Sequence, residues 1–458
     1  MLAKLDTTLF ENGRVNKFGK NLAFIPDDNN RESQLVNLYP GVTYQQIGTF
    51  GGAITESVGV TLRKMPEEER TQILESYFGK SGIGYRAIRT HIDSCDFSMG
   101  NYSAAEQWNG SEFPDFSLKR DEENIIPFIR SACLAAGEEL PVMLSPWSPP
   151  AFMKTNRSKN GGGKLEKKFY PLWAKYICRY IREYRARGIK VRMLSVQNEP
   201  NAEQVWDSCL FSPQEEREFL QFALVPALRS SGLGDIELYI WDHNKERLYD
   251  RVREVITPET DSMIAGAAFH WYSGDHFDAP RLVHEQFPDK KLLFSEGCIE
   301  YSQFDKSRQL ENAQVYAHDM IGNLNAGMNT FFDWNIILDE MGGPNHAGNY
   351  CEAPVIYDTQ NKKASLKLSY YYIGHFSKYI LPGARRIATT CYTDQLEVTA
   401  FLNPDGTLIA ELLNRSMKDI TAVLRLENQL LEITVKGQSM NTVVIVSESK
   451  NKDAMPNL

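Results

Sequence analysis

Eight short apolar runs separated by amphipathic segments, then a change to closely spaced short strands after residue 384, predict an α/β chain. The predicted architecture is a (β/α)8 TIM barrel with a small all-β side domain. That side domain is a β-sandwich formed by the C-terminal region and the N-terminal strands. The 458 residues are enough for one barrel of about 250 residues or more and a second unit.

Taken in order, residues 1–44 look extended and lack helical periodicity, so they are assigned to the β-domain. The barrel is expected over 45–383. Its strands are the apolar runs 46–51, 85–92, 141–147, 192–197, 236–241, 265–271, 291–294 and 329–334. Their nearly continuous hydrophobicity suits parallel strands buried on both faces. Helical patterns fill the gaps at 66–78, 123–136 and 169–187. Another helix begins at Ser212-Pro213-Gln214-Glu215, a capping box with Pro at the first helical position, and Leu220, Leu224, Ala227 and Leu228 continue it. A doubly wound sheet is the rival fold. It calls for a glycine-rich phosphate turn after the first strand, where the chain has only Thr49-Phe50-Gly51-Gly52-Ala53. Residues 384–447 are expected to form the all-β domain, with strands at 389–401, 407–414, 420–426, 430–435 and 441–447. Asn403-Pro404-Asp405-Gly406 is one of its turns. The polar tail 448–458 is expected to fray.

Composition removes several function classes. The net charge is −9 with a pI of about 5.6, which disfavours nucleic acid as a partner. No stretch approaches the length of a membrane span. The opening residues lack a leader-like apolar run, so a cytoplasmic location is expected. The seven cysteines are odd in number and scattered, with no C-x-x-C pair, as expected of free thiols in a reducing compartment. No histidine pattern matches a metal site, and no metal or other cofactor is expected. Gly161-Gly162-Gly163-Lys164 lacks the spacing of a P-loop and is expected to be a mobile loop near the site mouth. No serine lies in a Gly-x-Ser-x-Gly context.

Polar and aromatic residues recur where the predicted strands end, the face on which barrel enzymes build their sites. These are His91, Asp93 and Asp96; Ser145 to Pro150; Gln197-Asn198-Glu199-Pro200; Asp242-His243-Asn244; His270-Trp271-Tyr272; Ser295-Glu296-Gly297; and Asp333-Trp334-Asn335. Glu199 and Glu296 end strands four and seven, so they can face each other only across a barrel. Two facing carboxyl groups suit hydrolysis of a glycosidic bond. Asn198 is placed to donate to a sugar 2-OH, and Asp96 to accept from sugar hydroxyls. Asp93, Asp242 and Asp333 fit either substrate contact or structural hydrogen bonding. Arg89 fits either a role in keeping the nucleophile ionised or a structural ion pair.

Several motifs in order resemble glycoside hydrolase family 30, most closely its glucosylceramidase-like branch. They are Phe50-Gly51-Gly52-Ala53, Ser94-Cys95-Asp96-Phe97-Ser98, Ser145-Pro146-Trp147-Ser148-Pro149-Pro150, Met153-Lys154-Thr155-Asn156 and Asn198-Glu199-Pro200. His270-Trp271-Tyr272, Ser295-Glu296, Asp333-Trp334-Asn335, Gly342-Gly343-Pro344-Asn345 and Gly374-His375-Phe376-Ser377-Lys378 continue the series. The resemblance implies a barrel with a β-domain built from both chain ends. It implies a retaining β-glycosidase with Glu199 as acid/base and Glu296 as nucleophile. Asp96, Trp147, Asn198, Tyr272, Trp334 and Asn349 would line the sugar subsite. Trp147 and Trp334 would be its stacking walls, Tyr272 would bond near the nucleophile, and Arg89 and His270 would support the pair. The implied substrate is a carbohydrate or glycoside, most simply a β-glucoside cleaved from the chain end. An endo-β-1,6-glucanase or a β-xylosidase is the alternative, and a non-catalytic sugar-binding barrel is the reading from another class.

Overall fold

The computed structural model describes residues 1–446. The predicted strands 441–447 and tail 448–458 therefore fall partly and wholly outside the described residues. Eight parallel strands close into a barrel: Thr49–Ala53, Ala87–Ile92, Val142–Pro146, Val191–Ser195, Glu237–Asn244, Gly266–His270, Lys291–Glu296 and Thr330–Asp333. The eighth pairs with the first, with Phe331 opposite Phe50. Each predicted apolar run overlaps one of these strands.

The barrel interior is filled from below. Ala87, Met143, Met193, Tyr239, Ala268, Leu293 and Phe332 form one apolar cluster, with one residue from each strand but the first. The first strand contributes no side chain there. A Cβ on Gly51 would lie 2.2 Å from the Ala87 carbonyl oxygen, so the close pairing of strands one and two requires glycine.

Helical segments cover the outside, and some differ from expectation. The run at 123–136 is two helices, Lys119–Asn124 and Ile126–Ala136, broken at Ile125 just before Pro127, whose ring cannot continue a preceding helix. The capping box at Ser212 forms, with Glu215 reaching back to the Ser212 N–H. The helix it starts widens to π geometry over Leu220–Leu224, one residue before Pro226 relieves it of an N–H donor.

The side domain is one ten-stranded sheet. Leu35–Gln46 runs between Arg385–Cys391 and Ile420–Leu426, and Leu2–Glu11 lies beside Ser439–Val446. Leu5 near one edge and Leu431 near the other share a single buried core with Val36, Leu412 and Leu424. The sheet must fold over on itself for that to happen, which makes it a sandwich. The strand predicted at 389–401 is instead two, Arg385–Cys391 and Leu396–Leu402, because Asp394 and Gln395 turn the chain between them. The last barrel helix, Leu368–Tyr379, joins the two units. Its buried His375 sits 2.7 Å from Thr442 and 2.8 Å from Thr8, bridging to both chain ends.

Because residues 35–46 supply an interior strand of that sheet, a chain beginning at residue 47 should be insoluble on expression. Co-expression with a peptide spanning 1–46 should recover soluble protein.

Candidate active site

Side-chain alternation along the barrel strands decides which residues meet. Two residues above the apolar plug stand Arg89, Ser145, Ser195, His270 and Ser295, each on the strand of the plug residue below it. Strand five departs from the pattern. Its pairing with strand six slips between Ala268 and Phe269, at Trp241 and Asp242, both in left-handed backbone (φ 74° and 51°). The bulge turns Asp242 inward and sends Trp241 out to stack on Arg251. A second slip between Phe269 and His270 sets Glu296 opposite His270.

Arg89 is the centre of this layer and is fully buried. Nη1 donates to Glu296 Oε2 at 2.6 Å, Nη2 to Asn198 Oδ1 at 2.9 Å and Asp242 Oδ2 at 3.1 Å, and Nε to Ser145 at 3.2 Å. Asp242 also accepts from Ser295 at 2.5 Å and lies 3.1 Å from His270 Nε2. Arg89 is thus ion-paired inside the barrel with both Asp242 and Glu296, and Asp242 is held by structural hydrogen bonds.

Glu199 and Glu296 face each other. One oxygen of each, together with a His270 ring nitrogen, lie within 4.8 Å of one another. Glu199 sits in left-handed backbone (φ 45°), with its N–H on the Asp242 carbonyl at 2.9 Å. Strain of this kind collects at sites whose surroundings over-determine it. His270 Nδ1 lies 3.2 Å from Glu199 Oε1, and the Tyr272 hydroxyl donates to Glu296 Oε1 at 3.1 Å. The trio is also the only such metal-ligand group among the described residues. A cation there would face the Arg89 guanidinium, which already holds one Glu296 oxygen, so the group is poorly suited to a metal.

Charge distribution follows from burial and these bonds. Burial raises the Glu296 carboxyl, against the pull of His270 and Arg89, and repulsion from Glu199 adds to the rise. Burial acts the same way on Glu199, but the His270 hydrogen bond and the charges of His243 and His270 outweigh it and hold it at about 2. Burial alone would lower His270; Glu296, Asp242 and Glu199 instead push it up to about 9. In the free site at neutral pH, His270 therefore carries the proton that bridges to Glu199.

Asp96 and Asn349 come together, with Asn349 Nδ2 donating to Asp96 Oδ2 at 3.2 Å. The other Asp96 oxygen is buried with no hydrogen-bond partner, an opening for a sugar hydroxyl. Burial, then the Glu296 charge, pushes this carboxyl well above the usual carboxylate range. Trp147 and Trp334 do not oppose each other across a gap. Their rings stack on each other at 5.3 Å and 20°, both under the Arg89 guanidinium. They form a single floor, since two rings in contact admit no sugar between them. Asp93 is held by Tyr176 at 2.6 Å and Asp333 by Tyr316 at 2.9 Å, both as structural groups.

Residue-type reasoning passed over some neighbours. His243 lies 4.0 Å from Glu199, Gln204 donates to it at 3.5 Å, and Asn244 accepts from the Tyr272 N–H at 2.9 Å. His243 and Asn244 stood beside Asp242 in the sequence and were legible there; Gln204 was not. The three-glycine run is tied down rather than loose. Gly161 and Gly162 bond to Gln204 and Ser208, and Gly163 accepts from Leu210. All three glycines are left-handed (φ 70°, 62° and 70°), a run that favours glycine at each position.

Comparison with known proteins agrees with this arrangement. Residues 47–380 match the glycosyl hydrolase family 30 TIM-barrel domain, and 383–443 match the family 30 beta sandwich domain. The lysosomal acid glucosylceramidase of Mus musculus is 32% identical over 429 residues, covering 89% of this chain and 82% of that protein. The crystal structure of SrfJ from Salmonella typhimurium is 40% identical with a TM-score of 0.94, covering 98% of this chain and 100% of that one. The endo-beta1,6-glucanase BT3312 is 27% identical with a TM-score of 0.86, covering 97% and 100%. The barrel with its facing strand-end glutamates, and the sandwich built from both chain ends, are thus those of a glycoside hydrolase, and the chain belongs to glycoside hydrolase family 30.

Proposed function

We propose that the protein is a retaining β-glycosidase, a β-glucosidase of glucosylceramidase type that removes a terminal sugar. The carrying observation is the approach of Glu199 and Glu296 to within 4.8 Å. Retaining pairs stand about 5–5.5 Å apart, whereas inverting pairs need about 6.5–9.5 Å to admit a water. In the proposed mechanism, Glu296 attacks the anomeric carbon while Glu199 protonates the leaving oxygen. A covalent glycosyl-enzyme forms, and Glu199 then takes a proton from the water that releases the sugar. Arg89 and Tyr272 keep the Glu296 attacking oxygens oriented. Asn198, already held by Arg89, donates to the sugar 2-OH. Asp96 and Asn349 take further hydroxyls, and the Trp147–Trp334 floor gives the ring an apolar face.

The glucosylceramidase reading is supported by the 32% identity to the mouse enzyme. A second reading, endo-β-1,6-glucanase action, is favoured by the 27% identity to BT3312 over nearly the whole chain. Initial rates on aryl β-glucoside, xyloside, galactoside, fucoside and glucuronide, beside gentio-oligosaccharides, separate the two. The expected result is a preference for the aryl glucoside. Silence on every aryl glycoside with cleavage of gentio-oligosaccharides would favour the endo reading.

Glu296→Gln should abolish turnover. Glu199→Gln should slow cleavage of unactivated glycosides by about 10²–10⁴-fold and spare activated aryl glycosides. Proton NMR of the first product should show the β-anomer. Arg89→Leu should leave Asp242 and Glu296 uncompensated and cost about 3–5 kcal/mol of stability, read as a lowered denaturation midpoint.

His270 gives a sign-defined pH effect. Its proton affinity is raised on folding, to about 9, so the stability it contributes is full below the ordinary histidine range and is lost as pH rises through about 9. The thermal midpoint should therefore fall between pH 7 and pH 9.5 in the wild type and change less in His270→Gln. The alkaline limb of kcat/KM should move to lower pH in the same variant, because Glu199 loses its proton store.

A further inference from the structure

We propose that a pocket between the N-terminal hairpin and the last barrel helix binds a small phosphate monoester of about monosaccharide size. The pocket measures about 370 Å³, room for such a molecule and more than bare phosphate needs. Its barrel wall is Ser81-Gly82-Ile83, the turn entering strand two. That turn is at the opposite end of the strand from the Glu199–Glu296 pair, so the pocket is separate from the catalytic site.

Two regular elements build it from residues at matching spacing. The hairpin contributes Lys4, Asp6 and Thr8 from one strand and Lys17 and Gly19 from the other, all on one face. Asp6 pairs with Gly19 and Thr8 with Lys17, which aligns the two strands. The helix contributes Tyr371, Gly374, His375 and Lys378, a single stripe at helical spacing. Glycine at 19 keeps the floor open, since a Cβ there would lie 2.8 Å from the Asp6 carboxylate and 2.9 Å from the Lys4 stem.

The charge balance specifies the ligand. Lys4 pairs with Asp6 at 3.3 Å, and the Tyr379 hydroxyl donates to the same carboxylate at 3.0 Å. Lys17 stands over the Tyr371 ring at 5.4 Å, and Lys378 is half-buried. Among the described residues neither has a carboxylate within ion-pair distance. Asp6, the one carboxylate residue in the pocket lining among the described residues, also attracts Lys378. Burial, then Lys17 and Lys378, hold His375 at about 3, so it is neutral. Burial, then Lys17, lower Lys378, and the attraction of Asp6 works against them. Lys4, Lys17 and Lys378 against the Asp6 carboxylate thus give the pocket an excess of ammonium groups in a chain whose net charge is −9. A phosphate monoester, with a charge of about −1.5 to −2 at pH 7, matches them. The Tyr371 ring beside Lys17 gives its organic body a surface.

Isothermal titration calorimetry on the full chain at low ionic strength tests this with ribose 5-phosphate, inorganic phosphate, gluconate and ribose. The expected order is ribose 5-phosphate first, inorganic phosphate weaker, gluconate weaker still and ribose silent. Lys17→Gln and Lys378→Gln should each weaken ribose 5-phosphate about tenfold or more, as should added salt, and leave glycoside hydrolysis unchanged. Lys17 is exposed, so its replacement reads binding even if Lys378→Gln folds poorly. Absence of binding at millimolar ribose 5-phosphate, or unchanged affinity in Lys17→Gln, would overturn the site. Gluconate binding as tightly as ribose 5-phosphate would overturn the assignment to phosphate.

Discussion

A guanidinium sealed inside the barrel organises everything above it. Arg89 has no exposure, and water cannot solvate its charge. Only Glu296, Asp242, Asn198 and Ser145 can, each through a bond of 2.6 to 3.2 Å. A buried charge is tolerated when its partners are in place and is costly when one is missing. The need to satisfy Arg89 therefore fixes Glu296 on strand seven, Asp242 on strand five, and Asn198 immediately before Glu199. Its flat cationic face also lies over Trp147 and Trp334. The tryptophan floor and the paired carboxylates are thereby positioned by one side chain.

The second constraint is electrostatic. Three carboxylates, the buried Glu296 and Asp242 and the partly buried Glu199, share a small volume with one permanent cation. His270 answers the excess by holding a proton, pushed up to about 9 and bonded toward both Asp242 and Glu199. The site thus holds a proton on the ring that lies 3.2 Å from Glu199. Tyr272 contributes a neutral donor to Glu296, which orients that carboxylate without adding a second charge.

The side domain solves a different problem. An open sheet carries edges and an exposed apolar face. Here the sheet folds over its own core, and the last barrel helix lies against strands from both ends of the chain. His375 bridges Thr8 and Thr442 and makes barrel and sandwich mutually dependent. The same junction leaves the lysine-lined pocket between hairpin and helix. Its charge arises from residues that are hundreds of positions apart in the chain.

Much of this was legible in the residues. Parallel strands buried on both faces must be apolar throughout, so eight such runs announced a barrel. Strand-end glutamates at 199 and 296 then stood out because a packed scaffold does not require them. The capping box at Ser212 formed as written, because its two hydrogen bonds are local. The sequence by itself determined the element types, their order and which polar residues crown the strands. Tertiary structure decided how those residues meet. Slips in strand pairing turned Asp242 inward and Trp241 outward, and no local pattern encodes a slip that depends on the neighbouring strand. Trp147 and Trp334 became one floor instead of two walls because the barrel's closure, not their own residue type, sets the distance between strands three and eight. Gln204 reached Glu199 only because the glycine loop at 161–163 is bonded to its segment. The upward push on His270 and Asp96 was likewise invisible in the chain. Both depend on burial and on carboxylates contributed by other strands.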